Sequence, residues 1–210
     1  MVFDLDGVLV DSRAAITSSI NHALAANGHG QRPERLLYRY IGPPLAVAFA
    51  DLLGEAVDSR SVEACVAAYR SCYRHVYLTA TAPVGGIREV LAELAAEYRL
   101  AVATSKPLAF AEPLLNALEL GASFEAICGP SLAARTATKA EIVGDALAAL
   151  KPAAAVMVGD RSFDVAGARA HGLPAIGVTW GIGSREELIA AGAAAVVDLP
   201  SELPAAVRRF

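Results

Sequence analysis

Two aspartates stand two residues apart directly after an apolar start, Met1-Val2-Phe3-Asp4-Leu5-Asp6-Gly7. On an extended backbone that spacing points Asp4 and Asp6 to the same face of a strand end. Carboxylates held this close repel each other, so a shared proton, a cation or a reaction that uses the tension has to compensate. Gly7 lets the chain turn sharply or come close to a ligand. Three further stretches set reactive groups behind apolar runs or at a helix start. Thr104-Ser105 follow Leu100-Ala101-Val102-Ala103, and Asp160 and Asp164 follow Ala154-Ala155-Val156-Met157-Val158-Gly159. Lys139 opens a helix inside the capping box Thr138-Lys139-Ala140-Glu141. Each has a plainer reading: a polar turn for Asp4 to Gly7, a first-turn helix acid for Asp164, a solvated lysine for Lys139. The chain has only three lysines, Lys106, Lys139 and Lys151, so the position of each is informative. Lys106-Pro107 reads as loop and helix start rather than as a catalytic group.

The elements that must bring these groups together alternate between strand and helix from Pro83 onward. Apolar strand segments near 100–103, 124–128, 154–158, 175–178 and 194–197 are separated by helical stretches. This alternation predicts an α/β fold with a doubly wound, Rossmann-like parallel sheet. Right-handed crossovers in the order 3-2-1-4-5 place the first strand between the second and the fourth. Asp4 and Asp6, Thr104 and Ser105, and Asp160 and Asp164 then meet beyond the carboxyl ends of adjacent strands, where such sheets bind ligands. Lys139 can reach the same crevice. So many acids at one point call for a divalent cation, and oxygen-only ligands on rigid strand ends suit Mg²⁺, which pairs with phosphate. Thr104, Ser105, Lys139 and backbone N–H groups such as that of Gly7 are the candidates to hold a phosphate. A carboxylate beside that phosphate is a candidate nucleophile and a second one a candidate acid/base, which Asp4 and Asp6 fit in that order.

Between Ser12 and about Leu78 the pattern is helical only. Ser12 is expected to cap a helix that runs through Ile16, Ile20 and Leu24 to Asn27-Gly28. Short helices follow from Glu34 to Ile41 and from Leu45 to Leu53, and a longer one from near Asp58 carries Val62, Val66, Tyr69, Tyr73 and Val76 at helical spacing. The expected organisation is a catalytic core of residues 1–11 and 84–210 and an inserted helical cap of residues 12–83, with hinges at 8–12 and 79–84.

With these residues in place, the chain resembles the haloacid dehalogenase (HAD) superfamily, in its phosphatase branch with a helical cap in the first cap position. The four motifs occur in order as Asp4-Leu5-Asp6-Gly7, Thr104-Ser105, Lys139 and Gly159-Asp160-Arg161-Ser162-Phe163-Asp164, and the likeness covers essentially the whole chain. The resemblance implies that Asp4 becomes an aspartyl-phosphate, and that Asp6 protonates the leaving oxygen and then activates water. It further implies that Thr104 and Lys139 bind phosphate, that Asp4, the Asp6 carbonyl and Asp160 ligate Mg²⁺, and that Asp164 supports the metal. Asp6 separates the chain from the dehalogenases, and a cap without lysine (residues 12–80) separates it from phosphonatases. Ile16 stands where β-phosphoglucomutases carry a cap histidine. The runs Tyr40-Ile41-Gly42-Pro43-Pro44-Leu45, Thr104-Ser105-Lys106-Pro107 and Val178-Thr179-Trp180-Gly181-Ile182-Gly183-Ser184 resemble bacterial phosphoglycolate phosphatases and 5′-nucleotidase-like relatives. Gly42 and Pro43 are expected to screen the leaving group. Arg39 and Arg70, with Arg35, Arg74 and His75, are candidates to meet an anionic tail. The stripe Tyr69, Tyr73 and Tyr77 reads as core packing before it reads as a base-stacking surface.

Composition narrows the partners. Of 210 residues 55 % are hydrophobic and 19 % charged, with mean hydropathy +0.43 and a net charge of −4. That excludes disorder, and the lack of a long basic block argues against a nucleic-acid polymer. No apolar run approaches the roughly 18 residues of a membrane span. Asp4 arrives too early for a signal peptide, although three residues are a short lead-in for a central strand and point to a start upstream of Met1. Cys65, Cys72 and Cys128 form no metal-type cluster and read as free thiols of a reducing cytosol. The expectation is a cytoplasmic Mg²⁺-dependent hydrolase of a small phosphorylated substrate, monomeric or homodimeric. The alternative from another class is a non-catalytic phosphate-binding or regulatory protein on the same fold.

Overall fold

The computed structural model describes residues 1–134 and 137–210. It divides into two compact units, Met1–Asp11 with Ala82–Phe210, and Ser12–Thr81. The first unit opens with β1 (Val2–Phe3), both of whose residues are fully buried. A tight loop follows in which the amides of Val8, Leu9 and Val10 all donate to the Leu5 carbonyl. Then comes the short β2 (Val10–Asp11).

The second unit is helical. It comprises α1 (Arg13–Ala26), α2 (Glu34–Leu37) running into a 3₁₀ turn over Tyr38–Tyr40, α3 (Leu45–Leu53) and α4 (Arg60–Val76). Ser12 occupies the position ahead of α1 but makes no capping bond, contrary to expectation, whereas Ser59 Oγ caps α4 by accepting from Val62 N–H at 3.2 Å. Ile16, Ile20, Ala23 and Leu24 of α1 bury against α4, which turns Val62, Cys65, Tyr69 and Tyr73 inward at i, i+3, i+7 and i+11. Two members of the tyrosine stripe are core and the third, Tyr77, is half-buried: Tyr69 and Tyr73 are buried and stacked with centroids 5.3 Å apart, and Phe49 of α3 meets Tyr69 edge-on.

The chain returns through β3 (Ala82–Pro83), which pairs antiparallel with β2. This two-residue ribbon was not legible in the sequence, because two paired residues leave no alternation to read. The remaining elements are α5 (Ile87–Glu97), β4 (Ala101–Ala103), α6 (Leu108–Ala117), β5 (Ala126–Cys128), α7 (Lys139–Leu150), β6 (Met157–Gly159), α8 (Ser162–Arg169), β7 (Ala175–Val178), α9 (Arg185–Ala191), β8 (Ala195–Val197) and α10 (Leu203–Val207). Six strands form one parallel sheet in the order β5-β4-β1-β6-β7-β8. The register pairs Val2 with Ala101 and Met157, and Phe3 with Val102 and Val158. The next residues on the three strands, Asp4, Ala103 and Gly159, therefore come level at one edge. That edge is the switch point where connections leave in opposite directions.

Candidate active site

Three strand ends and one helix start supply the site. Asp4 follows β1, Thr104 to Lys106 follow β4, Asp160 follows β6, and Lys139 is the first residue of α7. The box read from sequence holds α7 in place: Glu141 N–H donates to Thr138 Oγ1 at 3.2 Å and Thr138 N–H to Glu141 Oε2 at 2.8 Å. Gly167 of α8 lets the two helices close on the lysine stem, since a Cβ there would lie 2.7 Å from Lys139 Cγ.

The buried Lys139 ammonium has three oxygen neighbours, Asp4 Oδ1 at 2.7 Å, Asp164 Oδ1 at 2.9 Å and the Ala103 carbonyl at 3.1 Å. Burial alone would push its pKa down; Asp164 and Asp4 outweigh that and hold it well above the ordinary lysine range. Asp164 also accepts through Oδ2 from the amides of Asp160 (3.1 Å) and Arg161 (3.0 Å). The two readings of Asp164 are thus not exclusive, because one oxygen tethers the start of α8 and the other faces Lys139.

Asp4, Asp160 and Asp164 are all buried, and one oxygen from each lies within 4.8 Å of the others. Three carboxylates against one ammonium leave an excess of negative charge in a low-dielectric site. Burial raises the Asp4 pKa to about 7, with Lys139 opposing and Asp164 adding to the rise. Burial likewise pushes Asp160 well above the usual carboxylate range, helped by Asp164 and Asp4. Asp160 Oδ2 accepts from Ile182 N–H at 2.7 Å, while Oδ1 is buried with no hydrogen-bond partner among the described residues. A buried oxygen in that state costs stability unless something positive meets it. The all-oxygen donor set, the excess charge and the orphaned Oδ1 together fit a divalent cation of the Mg²⁺ type.

Asp6 is held separately. Its Oδ2 lies 2.9 Å from Lys106 Nζ, and only 4 % of the Lys106 side chain is exposed. Lys106 N–H also donates to the buried Thr104 Oγ1 at 3.1 Å. The backbone of Lys106 is a loop ahead of α6, as read, but its side chain belongs to the site, which the sequence reading did not foresee. The available signal was the scarcity of lysine and the polar run Thr104-Ser105-Lys106 behind a strand. Ser105 adjoins this cluster and is partly buried; Gly7, at φ +89°, packs against Asp160, and its N–H, expected to hold phosphate, donates instead to the Val10 carbonyl at 2.8 Å, which closes the tight loop. Arg161 and His171 bind Glu187 Oε1 (Nε, 3.0 Å) and the Ala140 carbonyl (Nε2, 2.7 Å), respectively. The remaining candidates lie in the helical unit. Gly42 and Pro43 form the turn before α3, Arg70 is on α4, and Arg39 pairs with Asp51 at 3.2 Å in an exposed contact.

Residues 1–178 match the family model for haloacid dehalogenase-like hydrolases. Among curated proteins, the chain is 39 % identical over 187 residues to a tyrosine-protein kinase, PtkA, of Mycobacterium tuberculosis, covering 87 % of this chain and 62 % of that protein. The chain thus spans less than two thirds of that relative's length. It is 37 % identical to a 5′-nucleotidase of Pseudomonas aeruginosa, covering 90 % of this chain and 86 % of that one. It is 35 % identical to a phosphoglycolate phosphatase of Agrobacterium fabrum, covering 86 % and 80 %. The crystal structure of a predicted phosphatase from Clostridium acetobutylicum superposes with a TM-score of 0.93 at 33 % identity, covering 100 % of this chain and 97 % of that one. Among the described residues, no helix is long and apolar enough to cross a membrane.

Two outcomes follow from the charge balance. In the metal-free protein Asp4 keeps its proton up to about pH 7, whereas in the unfolded chain it loses it near pH 4, so this group's contribution to stability falls as pH rises between those values. Mg²⁺ should therefore raise the melting temperature more at about pH 8 than at about pH 6, measured by thermal unfolding with and without the ion; equal shifts would contradict this electrostatic account. Lys106→Met removes the largely buried ion pair with Asp6 and should cost on the order of 3 kcal/mol in urea unfolding; a loss below roughly 1 kcal/mol would show that the pair contributes as little as a surface one.

Proposed function

This chain belongs to the haloacid dehalogenase-like hydrolase family, and on that premise we propose that it is a Mg²⁺-dependent phosphomonoesterase working through Asp4. The observation that carries this reading is the buried cluster in which Lys139 bridges Asp4 and Asp164 while Asp160 keeps one oxygen unpartnered. In the proposed first step an Asp4 oxygen forms a bond to phosphorus, the ester P–O bond breaks, and Asp6 gives its proton to the leaving oxygen. In the second, Asp6 takes a proton from water, the water oxygen bonds to phosphorus, and Asp4 is released with inorganic phosphate. Lys139 and Thr104, with Ser105, would bind the phosphoryl oxygens, and Lys106 would hold Asp6 beside Asp4. Asp4, the Asp6 carbonyl and Asp160, supported by Asp164, would hold Mg²⁺, which supplies positive charge against the phosphoryl group when bound.

The substrate favoured is a small phosphorylated metabolite of the phosphoglycolate type, with Gly42, Pro43, Arg39 and Arg70 of the helical unit as the candidates for its selection. Support comes from the sequence runs shared with phosphoglycolate phosphatases and from the Agrobacterium relative. A nucleoside 5′-monophosphate is the second reading, supported by the Pseudomonas relative. The similarity to a protein named as a tyrosine kinase makes the acceptor worth measuring as well as the donor. An aspartyl-phosphate passes its phosphoryl group to whichever oxygen is positioned, water or a hydroxyl.

Mg²⁺-dependent release of phosphate from an aryl phosphate is the expected activity, and Asp4→Asn should lower kcat on the order of 10⁴-fold or more. No turnover by the intact protein would favour a non-catalytic phosphate-binding role. A phosphate-release screen of phosphoglycolate, sugar phosphates and 5′-nucleotides ranks the substrates by kcat/KM. A clear preference for nucleoside monophosphates would reverse the order given above, and phosphoryl transfer to a tyrosyl peptide in place of water would replace hydrolysis with transfer.

A further inference from the structure

The run Val178-Thr179-Trp180-Gly181-Ile182-Gly183-Ser184 has no part in the chemistry above, yet it is built around Asp160. It leaves the end of β7 and passes directly over the carboxylate. Ile182 N–H donates to Asp160 Oδ2 at 2.7 Å. Any Cβ on Gly181 would collide with Oδ2 of Asp160, one on Gly183 would collide with its carbonyl oxygen, and one on Gly7, from the opposite loop, would collide with Oδ2 again. Two glycines, one from each loop, thus press on Oδ2 of the carboxylate, and a third presses on the main chain of the same aspartate. The other carboxylate oxygen, Oδ1, has no hydrogen-bond partner among the described residues.

The run is anchored at both ends. Trp180 Nε1–H donates to the Val8 carbonyl at 3.1 Å, tying it to the loop that follows Asp6. Thr179 Oγ1–H donates to Asp198 Oδ1 at 2.6 Å. At the far end Ser184 caps α9, and Glu187 in its first turn accepts through Oε1 from Arg161 Nε (3.0 Å), Ser162 N–H (2.8 Å) and Ser162 Oγ (2.8 Å). The segment Asp160-Arg161-Ser162 is therefore gripped on one flank by Ile182 and on the other by Glu187.

We propose that Trp180–Gly183, with Glu187, is a positioning cradle that fixes the Asp160 carboxylate with Oδ2 engaged and Oδ1 presented to the cation. The inference rests on the Mg²⁺-dependent reading of the site. Its physical basis is that a carboxylate free to rotate spreads its oxygens over several directions, whereas one hydrogen-bonded through a single oxygen offers the other in one direction. Groups that orient a metal ligand in this way are commonly worth 10–100-fold in affinity. Trp180 adds a link between the two loops that carry Asp6 and Gly7 on one side and Asp160's partner on the other, so displacing either loop disturbs the same ligand.

The test is Mg²⁺ binding by calorimetry on the intact chain, with melting temperatures of the metal-free forms alongside. Gly181→Ala and Trp180→Phe, the latter keeping a ring but removing the N–H donor, should each weaken Mg²⁺ affinity by about tenfold. Activity lost in Trp180→Phe at low Mg²⁺ should return at high Mg²⁺, which a merely structural defect would not do. In an Asp160→Ala background, Trp180→Phe should cause no further loss of affinity. If Gly181→Ala fails to fold, Trp180→Phe alone decides. A change below about twofold in every folded variant overturns the cradle, as does an undiminished effect of Trp180→Phe in the Asp160→Ala background. Absence of Mg²⁺ binding by the unaltered protein instead overturns the metal reading on which the proposal stands.

Discussion

One buried ammonium governs the arrangement of this site. Lys139 draws Asp4 and Asp164 to within 2.9 Å or less of a single nitrogen, at the level where three parallel strands end. Without it the three carboxylates behind β1 and β6 would face one another in a medium too poor in water to screen them. With it the charge is still not balanced, and burial, reinforced by the neighbouring carboxylates, raises the pKa values of Asp4 and Asp160. The site is thus electrostatically incomplete by design of its own residues, which is the condition under which binding a cation or a phosphoryl group changes the energies of its neighbours most.

The scaffold answers that constraint with rigidity. β1 lies in the middle of the sheet and is paired on both sides, so Asp4 has little freedom to relieve repulsion by moving. Lys139 is held by a fully formed capping box and by α8 packed on its stem through Gly167. Asp164 joins these parts, anchoring the start of α8 with one oxygen while meeting Lys139 with the other. The second ion pair, Lys106 with Asp6, separates the fourth carboxylate from the other three. Of the four acids, Asp4 and Asp164 are in this way paired with Lys139, with Asp160 beside them, while Asp6 is paired with Lys106, a difference in surroundings that suits two different roles for Asp4 and Asp6.

Much of this was legible in the residues. Alternating apolar runs and helix signals located the parallel sheet, the capping box placed Lys139 at a helix start, and the strand order brought Asp4, Thr104 and Asp160 side by side. These follow from local chemistry: strand periodicity, cap hydrogen bonds and the handedness of crossovers act over a few residues or obey a general rule. Lys106 was not legible in the same way. Its backbone conformation is set locally, but the direction of its side chain depends on Asp6, a hundred residues earlier in the chain. The β2–β3 ribbon escaped for the same reason, since neither two-residue strand has any pattern until the other is beside it.

The amino-acid sequence by itself determined the fold and the family and supplied the candidate residues of the site, because each is written in short spacings that survive without their surroundings. Only the tertiary structure decided how those groups are paired. It assigned Lys139 to Asp4 and Asp164, Lys106 to Asp6, and Ile182 with three glycines to Asp160. Pairing is a property of distance and burial, and both arise only when strands far apart in the chain come into register. The opening stretch Asp4-Leu5-Asp6-Gly7 shows the division plainly: its spacing announced two carboxylates in tension, and the folded chain gave each a different partner.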